Sequence, residues 1–523
     1  MMKKSTFVLV LVCLIFLAIY SFLATPVKTD FDIGNRFDWP DETANYFWSN
    51  QYSKTGSLFL VEPLNLIAKN QIHPRSFNVR PDGTIVPGSF LGLILFFGSL
   101  AKIFTTKSLL YITPFFSILA VLGFYGIIKR IFSEKIALIS AALMLVHPAW
   151  WYYSTTSMLP NVVFVSLIIL SIYFLVKDKK YRFVHFLTSS VLAGLALSIR
   201  PSEIVWLLFL YLAVFIYVKH KIKLNRLIIF FALVSIVVYP TIFWQQILYG
   251  SFLSSGYDQL YQDTTSTCQF CNIAKSLLLP FGFHPRLVVT NFWTHFLSRL
   301  WWLSLLAVLG VVAFFTQRSK PRVEVFGYII VSFFIFAWLG TYYGSWQFDD
   351  LLTVHLNTLG LSYIRYWLVL YLLSLPFMSI GLLWLSSMFK RRVQNIIIIV
   401  LLFCLIYPSA NLVLQAKPDS VLPVRNRIKN YREIAYQVNE ITEEDSVIVT
   451  VRKDKLFFPD RKVIHTFEAL SLNQEIIDIL LDLTPIVPVY YYALGPEPTL
   501  EFENGLELIE IEKFDQEILY QVK

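Results

Sequence analysis

An acidic segment near the start of the chain carries the residue types best suited to chemistry. Asp41 and Glu42 are adjacent carboxylates that follow Pro40 within the stretch DWPDETANY, residues 38–46. Proline favours the first position of a helix, and acidic side chains are stabilised in the first turn by the helix dipole. Adjacent carboxylates can accept a proton from a hydroxyl group or bind a hard cation through their oxygens. Simple helix capping is the alternative role for these residues.

Arginines near the ends of apolar stretches form a second group of candidates. They are Arg80, Arg200 and Arg365, and a charged side chain in such a place is costly unless it has a partner. A phosphate is a good partner for a guanidinium, so these residues are predicted to bind a phosphorylated ligand. The alternatives are snorkelling towards lipid headgroups and, for Arg200, a simple ion pair with Glu203.

Several other polar residues are assigned no part in the chemistry. The histidines beside prolines are predicted to be structural rather than ligands or proton relays: His73, His147 and His284. A solvated loop is predicted around Asp349, Asp350 and His355. A local disulfide or two free thiols are favoured over a redox pair or half a zinc site for Cys268 and Cys271, because the sequence contains no second such pair.

The elements that position these residues must be largely membrane helices. Of 523 residues, 56% are hydrophobic and only 15% are charged, which is too much apolar surface for soluble cores of ordinary size. A bilayer core about 30 Å thick requires about 20 apolar residues in a helix. Stretches that approach this length are 7–24, 89–104, 108–128, 136–153, 158–176, 184–199, 203–218, 227–244, 299–316, 323–342, 362–386 and 395–413.

The charge pattern predicts how these helices cross the membrane. The net charge of +9 comes from short basic clusters between the apolar stretches, which is the positive-inside pattern and excludes nucleic-acid binding. The N-terminus is then cytoplasmic, and loops 25–88 and about 245–298 face outward. An even number of crossings must separate Lys3 from Lys129, so stretch 89–104 is predicted not to cross, as a re-entrant or interfacial segment. Its fusion with the next stretch across 105–107 is the alternative. The first stretch also resembles a signal peptide but is predicted to be retained.

Mixed polar sequence follows the last apolar stretch. Its periodicity predicts helices near 431–441 and 473–483 and strands near 446–451, 462–467, 488–494, 506–514 and 517–522. We therefore expect a polytopic α-helical membrane domain at 1–413, with about 11 to 13 transmembrane helices. A small extracytoplasmic α/β domain is expected at 414–523. The sequence contains no Walker loop, dinucleotide fingerprint or zinc-protease helix.

Spaced motifs over most of the membrane region resemble those of one superfamily. The first is Pro-Asp-Glu-Thr-x-x-Tyr at 40–46, directly after the first helix, followed by YSKTG at 52–56. Later come HPAWWYYS at 147–154, SIRP at 198–201 and RYW at 365–367. Together they resemble GT-C glycosyltransferases of the protein O-mannosyltransferase and lipid A aminoarabinose transferase type. Departures at Ala44 or Asn45, where the aminoarabinose type has a basic residue, prevent transfer of its sugar specificity.

The resemblance implies a GT-C-like bundle and a definite chemistry. A sugar, a hexose or a pentose, would pass with inversion from a polyprenyl-phosphate donor to a lipid, glycan or protein acceptor at the outer face. The resemblance implies Asp41 as the base, with Glu42 sharing that work, orienting the acceptor or binding a divalent cation. No cofactor is certain. The residues that the resemblance implies for binding substrate or phosphate are Arg80, Arg200, Arg365, Tyr153 and Asn161. Many relatives carry an acidic residue where this chain has Asn161.

Two other classes of function fit the same composition. A transporter or flippase for lipid-linked saccharides would need charged groups near the membrane midplane and repeats between its halves. A noncatalytic membrane scaffold would not require the carboxylates of the first loop. Within enzyme chemistry, a polymerase or ligase that uses diphosphate-linked glycans is the alternative.

Overall fold

The computed structural model describes residues 4–29, 33–177, 182–218, 224–257, 278–316, 322–347, 358–497, 499–502 and 505–523. The chain divides into two units. One, called the helical unit, consists of Met1–Thr25, Leu110–Pro240 and Asp263–Pro423. The other, called the mixed unit, consists of Pro26–Leu109, Thr241–Gln262 and Val424–Lys523. This division differs from the predicted boundary after residue 413, because the first outer loop groups with the C-terminal residues.

The helical unit is built from apolar helices. Their bounds are Lys4–Ala24, Leu109–Ile131, Glu134–Val146, Pro148–Thr155, Pro160–Val176, Arg182–Ile199, Ile204–Val218, Leu224–Tyr249, Pro285–Asn291, Trp301–Thr316, Val323–Gly344, Ser362–Tyr366, Leu368–Ser387 and Gln394–Leu414. A π-helical segment, Phe292–Ser298, continues the short helix at 285–291. Every apolar stretch predicted from the sequence is helical, including the one that falls in the mixed unit, Leu91–Phe104.

The length of these helices bears on how many cross the membrane. Within the described ranges, seven helices are long and apolar enough, and the number is nine if each of two bent pairs counts as one span. The bends are 53° between 134–146 and 148–155, where Pro148 interrupts the backbone hydrogen bonding, and 95° between 285–298 and 301–316. Three shorter apolar helices complete the set that was predicted. The chain is a multi-pass membrane protein.

The mixed unit contains two sheets. Strands β1 (Leu60–Val61), β2 (Phe77–Val79) and β3 (Thr84–Pro87) form an antiparallel sheet in the order β1-β3-β2. The larger sheet has the order β5-β4-β6-β8-β7, with bounds Val447–Val451 for β4, Lys462–Thr466 for β5, Val489–Ala493 for β6, Leu508–Phe514 for β7 and Glu517–Val522 for β8. Strand β4 is parallel to β5 and β6, and β6, β8 and β7 are antiparallel. The predicted C-terminal α/β elements are confirmed.

Among the residues that the structure describes, the mixed unit also contains the helices Pro40–Thr55, Leu91–Phe104, Val421–Ile441, Asp454–Phe457 and Gln474–Leu483. The first two pack closely, because a Cβ on Gly98 would lie 2.8 Å from Cδ1 of Tyr52. A helix of 14 residues is about 21 Å long, short of the roughly 30 Å of a bilayer core. Whether stretch 89–104 crosses the membrane stays a prediction.

One hydrophobic core joins the first loop to the C-terminal sheet within the mixed unit. It contains Trp48 from the helix at 40–55, Phe77 from β2 and Ile448 from β4, all at most 3% exposed. Phe458, on the loop before β5, lies with its ring centroid 4.9 Å from that of Phe77. The first loop is therefore a structural part of the C-terminal α/β fold, since its apolar side chains fill one face of the sheet.

Buried charges connect the same two parts of the chain. The guanidinium of Arg427 donates two hydrogen bonds to the carboxylate of Asp38, at 2.8 and 2.7 Å, and Lys455 Nζ lies 3.7 Å from Oδ1 of Asp38. Arg75 pairs with Asp454 at 2.7 Å. Burial alone raises the pKa of Asp38, but Lys455 and Arg427 offset this and hold the pKa below its ordinary value. Asp38 is thus an ionised group of the interior.

Replacing Arg427 with glutamine should destabilise the mixed unit by about 2 kcal/mol, because a buried carboxylate loses its bidentate partner. This is below the cost for a fully buried pair, since the Arg427 side chain is 29% exposed. The measurement is the thermal midpoint of unfolding of the purified protein in detergent. Arg80→Gln is the control, because that side chain is 41% exposed; equal midpoints for both variants would contradict the assignment.

Candidate active site

The helix that carries the predicted catalytic pair, called the acidic helix, is Pro40–Thr55. Trp39 before it is extended, with φ −101° and ψ 139°, and Pro40 occupies the first helical position. Glu42 accepts a hydrogen bond from the Trp39 backbone N–H at 3.3 Å, which satisfies a donor at the helix start. Gly56, at φ 74°, ends the helix in the left-handed conformation. The sequence-based prediction of this helix start is confirmed.

The three carboxylates at this helix start lie in different environments. Asp38 is ion-paired by Arg427 and Lys455. Glu42 is only 5% exposed, and burial, together with the negative charge of Asp38, raises its pKa to about 8. Asp41 is half-buried, and its Oδ1 accepts a hydrogen bond from the Ser76 hydroxyl at 2.7 Å. At neutral pH Glu42 therefore holds its proton, which makes it a weak base and a weak ligand for a cation.

Ser76, the hydrogen-bond donor to Asp41, was not identified from the sequence. Its φ is 65°, a left-handed conformation that is uncommon for residues other than glycine. The Gly88 backbone packs directly against it: a Cβ on Gly88 would lie 2.7 Å from the Ser76 carbonyl, and Gly88 N–H donates to that carbonyl at 3.1 Å. Strained residues held in this way are often found at functional sites. No local sequence signal marks such a position.

The basic groups beside the acidic helix also differ from the prediction. Arg80, expected to bind phosphate, lies in the turn between β2 and β3 and makes a long ion pair of 3.5 Å with Asp82. Ser76, which contacts Asp41, and Arg80 lie at opposite ends of β2. The strand therefore separates Arg80 from the position where the Asp41 carboxylate is bound. Asp38, at the helix start, is instead contacted by two cations, Arg427 and Lys455, which lie 389 and 417 residues further along the chain.

Arg200 lies in a second polar cluster, within the helical unit. Its Nη2 is 2.9 Å from Oε1 of Glu203, and both side chains are 7% exposed. Tyr343 accepts from Arg200 at 2.7 Å and donates to Glu203, whose Oε2 accepts from Trp206 Nε1 at 2.6 Å. The positive charge of Arg200 is therefore balanced by Glu203, as in the alternative considered from the sequence.

Arg365 adjoins Arg200 through one aromatic ring. The guanidinium carbon of Arg200 is 4.7 Å from the ring centroid of Tyr366, and that of Arg365 is 5.0 Å from the same centroid. Asn161 donates to the Arg365 carbonyl at 3.2 Å, and the Tyr153 hydroxyl contacts the carbonyls of 359 and 361 at 2.8 and 2.9 Å. The four predicted residues of this paragraph, Arg200 included, thus lie around segment 359–366. Tyr153 and Asn161 bind the backbone of this segment.

The remaining candidates do not form a metal site in the part of the chain that the structure covers. No group of three or more His, Cys, Asp or Glu side chains there is suited to hold a metal ion. His73 is mostly buried beside His465, and burial lowers its pKa to about 4. His147 and His284 precede the helices at 148–155 and 285–291. The predictions for Cys268, Cys271, Asp349, Asp350 and His355 lie outside the described residues.

Comparison with known proteins agrees with this architecture. Residues 92–244 match the family model of dolichyl-phosphate-mannose-protein mannosyltransferases. No curated protein sequence matches the chain at a significant level. The crystal structure of ArnT from Cupriavidus metallidurans bound to undecaprenyl phosphate is 10% identical, with a TM-score of 0.52, and the match covers 99% of this chain and 97% of ArnT. The oligosaccharyltransferase of Archaeoglobus fulgidus, tethered to an acceptor peptide, is 13% identical with a TM-score of 0.50, over 92% of this chain and 68% of that one.

These matches define the class of fold. The chain has the fold of the GT-C superfamily of membrane glycosyltransferases, and the resemblance predicted from its motifs is confirmed at that level. ArnT from Cupriavidus metallidurans is one structure that it matches over nearly its whole length. At this identity the similarity concerns the fold, so the chemistry of this chain must be argued from its own residues.

Replacing Glu42 with glutamine should change how stability depends on pH. The folded protein holds the Glu42 proton up to a pKa of about 8, whereas the unfolded chain releases it near 4.5. The free energy of unfolding therefore falls as pH rises through this window, by up to about 1.4 kcal/mol per pH unit. Glu42→Gln should resemble the unaltered protein near pH 4.5 and exceed its thermal midpoint at pH 8 and above. Parallel stability curves for the two proteins would show that Glu42 is already ionised at neutral pH.

Proposed function

We propose that this protein is a glycosyltransferase that moves a sugar from a polyprenyl-phosphate donor to an acceptor at the outer membrane face. The observation that carries the proposal is the division of roles among the three carboxylates. Asp38 is ion-paired with two cations and Glu42 keeps its proton, whereas the Asp41 carboxylate is oriented by the Ser76 hydroxyl, and we assign Asp41 as the group that accepts a proton. The GT-C fold supports the choice of a lipid-phosphate donor, since ArnT of the same fold has been crystallised with undecaprenyl phosphate.

In the proposed reaction Asp41 accepts the proton of an acceptor hydroxyl. The oxygen attacks the anomeric carbon of the donor sugar, the bond from that carbon to the phosphate oxygen breaks, and the phosphate leaves with the bonding electrons. A single displacement of this kind inverts the anomeric configuration. A positioned general base contributes typically about 10²–10⁴-fold to such a step. The sugar is a hexose or a pentose, and the acceptor is a lipid, glycan or protein.

The arginines of the helical unit remain candidates for phosphate binding. A guanidinium stabilises the charge of a departing phosphate, and Arg200 and Arg365 both lie over Tyr366. Because Glu203 balances the charge of Arg200, we propose that this arginine also fixes Tyr366 in place. A divalent cation bound by Glu42 would require loss of the Glu42 proton, so it is the least supported of the three roles considered for that residue.

The proposed orientation follows the distribution of basic residues. The N-terminus is cytoplasmic, and the mixed unit, with the acidic helix and the C-terminal sheet, is on the outer side. This orientation gives a membrane-bound donor and an extracytoplasmic acceptor access to the same side of the bilayer.

The direct test compares sugar transfer by the unaltered protein with transfer by Asp41→Asn. Radiolabelled polyprenyl-phosphate sugars are supplied to purified protein in membranes, with thermal unfolding as the check of folding. We expect a loss of about 100-fold or more, because asparagine cannot accept the proton. Asp82→Asn is the matched control, since Asp82 caps the exposed turn at Thr84 N–H and asparagine keeps that hydrogen bond. Full transfer by a folded Asp41→Asn variant would remove Asp41 from the mechanism.

Removing the Ser76 hydroxyl should slow transfer about 10-fold without weakening the fold, because a hydrogen bond that orients the Asp41 carboxylate is lost. Ser76→Gly is the variant to test, since it removes the hydroxyl and glycine adopts φ 65° without strain. We expect kcat to fall while KM and the thermal midpoint are kept. In combination with Asp41→Asn, the Ser76 substitution should have no further effect. A Ser76→Gly enzyme with the full rate would limit Ser76 to a structural role.

A further inference from the structure

The carboxyl ends of strands β4, β5 and β6 meet at one edge of the C-terminal sheet, because these strands are parallel. The register pairs Val451 with Thr466 and Thr450 with Tyr492. One or two residues further along, Phe467, Arg452 and Leu494 therefore follow side by side. All three side chains are exposed, Phe467 by 61% and Leu494 by 54%.

This edge is also where the direction of winding reverses. From β4 the chain passes through the helix Asp454–Phe457 to β5 on one side, and then through the helix Gln474–Leu483 to β6 on the other side. In open parallel sheets, the crevice outside the strand ends at such a reversal is the usual place for a ligand. The position is therefore a candidate site on topology alone, and its side chains decide the chemistry.

Arg452 is held at this edge in a strained conformation. Its φ is 59°, in the left-handed region that favours glycine. Its carbonyl accepts a hydrogen bond from Arg75, whose Nε donates to Asp454 at 2.8 Å, and Asp454 is fully buried. The strained backbone of Arg452 costs free energy, and the exposed side chain adds no packing to offset it. Strain that is held in place in this way, here by the ion pair of Arg75 with buried Asp454, points to a role in binding.

The Arg452 side chain stands over an exposed ring. Its guanidinium carbon lies 5.2 Å from the ring centroid of Phe467, a favourable cation–π distance. His465 supports the same ring edge-on, with centroids 5.5 Å apart, and His73 supports His465 at 5.3 Å. In the described part of the chain Arg452 makes no ion pair within 4.0 Å. A guanidinium without a carboxylate partner therefore lies beside an exposed apolar face.

We infer that Arg452 and Phe467, here called the Arg452–Phe467 platform, bind an anionic saccharide. The guanidinium can donate two parallel hydrogen bonds to a carboxylate or phosphate on the sugar. The phenyl ring can stack against the apolar C–H face of a pyranose ring, which aromatic side chains contact readily. The assignment of this saccharide as the acceptor rests on the proposed function. The binding of the saccharide to the platform does not depend on that function.

Binding is measured without donor, by calorimetry on the full-length protein in phosphatidylcholine nanodiscs. The probes are trigalacturonic acid, its methyl ester and a phosphorylated maltotriose. We expect Arg452→Gly to weaken binding of at least one anionic probe by about 10-fold, the loss typical of a charged hydrogen-bonding partner. Because glycine relieves the strain at φ 59°, the thermal midpoint should be equal or higher. Phe467→Ala should weaken the binding of all three probes, because the ring that stacks on the sugar is lost.

Two controls separate the platform from general charge and from catalysis. Lys513→Gln removes an exposed positive charge from β7 and should leave binding unchanged. Asp41→Asn should bind the anionic probe as the unaltered protein does. If the unaltered protein binds the probe but transfers no sugar, the proposed function fails and the platform stands.

Three results would overturn the inference. The first is the absence of binding of both anionic probes to the unaltered protein. The second is equal binding by Arg452→Gly. The third is that Arg452→Gly instead loses association with phosphatidylglycerol vesicles while no saccharide binds, which would assign the platform to a lipid surface.

Discussion

The ion pairing of Asp38 with Arg427 and Lys455 is the constraint on which the mixed unit depends. An isolated carboxylate in the protein interior is costly, and each cation offsets part of that cost only if its own element is in place. The pairing therefore joins the start of the acidic helix to the helix Val421–Ile441 and to the short helix Asp454–Phe457 after β4. The shared apolar core of Trp48, Phe77 and Ile448 then excludes water from the same region.

This arrangement decides the ionisation of the neighbouring groups. Burial is the main reason that the pKa of Glu42 is raised, and the negative charge of Asp38 adds to it, so Glu42 retains its proton. Three acidic groups within one turn would otherwise repel one another. The outcome is a graded set in which one carboxylate is structural, one is neutral and one, Asp41, is oriented by Ser76. Such separation of roles among similar groups is a frequent property of active sites.

The helical unit also contains a buried charge, and aromatic side chains surround it. Glu203 balances the buried guanidinium of Arg200, and Tyr343 and Trp206 complete the hydrogen bonding of the carboxylate. Tyr366 lies against Arg200 and Arg365 and stacks on Tyr343 with centroids 4.6 Å apart. The rings exclude water around the cluster, so that its charges interact more strongly than they would at an exposed surface.

The sequence by itself determined the features that depend on local pattern. Runs of apolar residues predicted the apolar helices, except for the helical segment 285–298, which lies in the stretch predicted as an outer loop at about 245–298. Alternation predicted the C-terminal strands, and Pro-Asp-Glu predicted the start of the acidic helix. The motif HPAWWYYS and the arginine motifs indicated the GT-C fold, which the comparisons confirm. These predictions hold because helix length, strand period and capping are set by residues a few positions apart.

Only the tertiary structure decided which candidates act together. It brought Arg427 and Lys455 to Asp38, placed Ser76 beside Asp41, paired Arg200 with Glu203 and left Arg80 in an exposed turn. It also grouped the first loop with the C-terminal sheet, which the predicted boundary after residue 413 had separated. The physical reason is that burial and charge compensation depend on neighbours in space, and these neighbours are up to 417 residues apart in the chain.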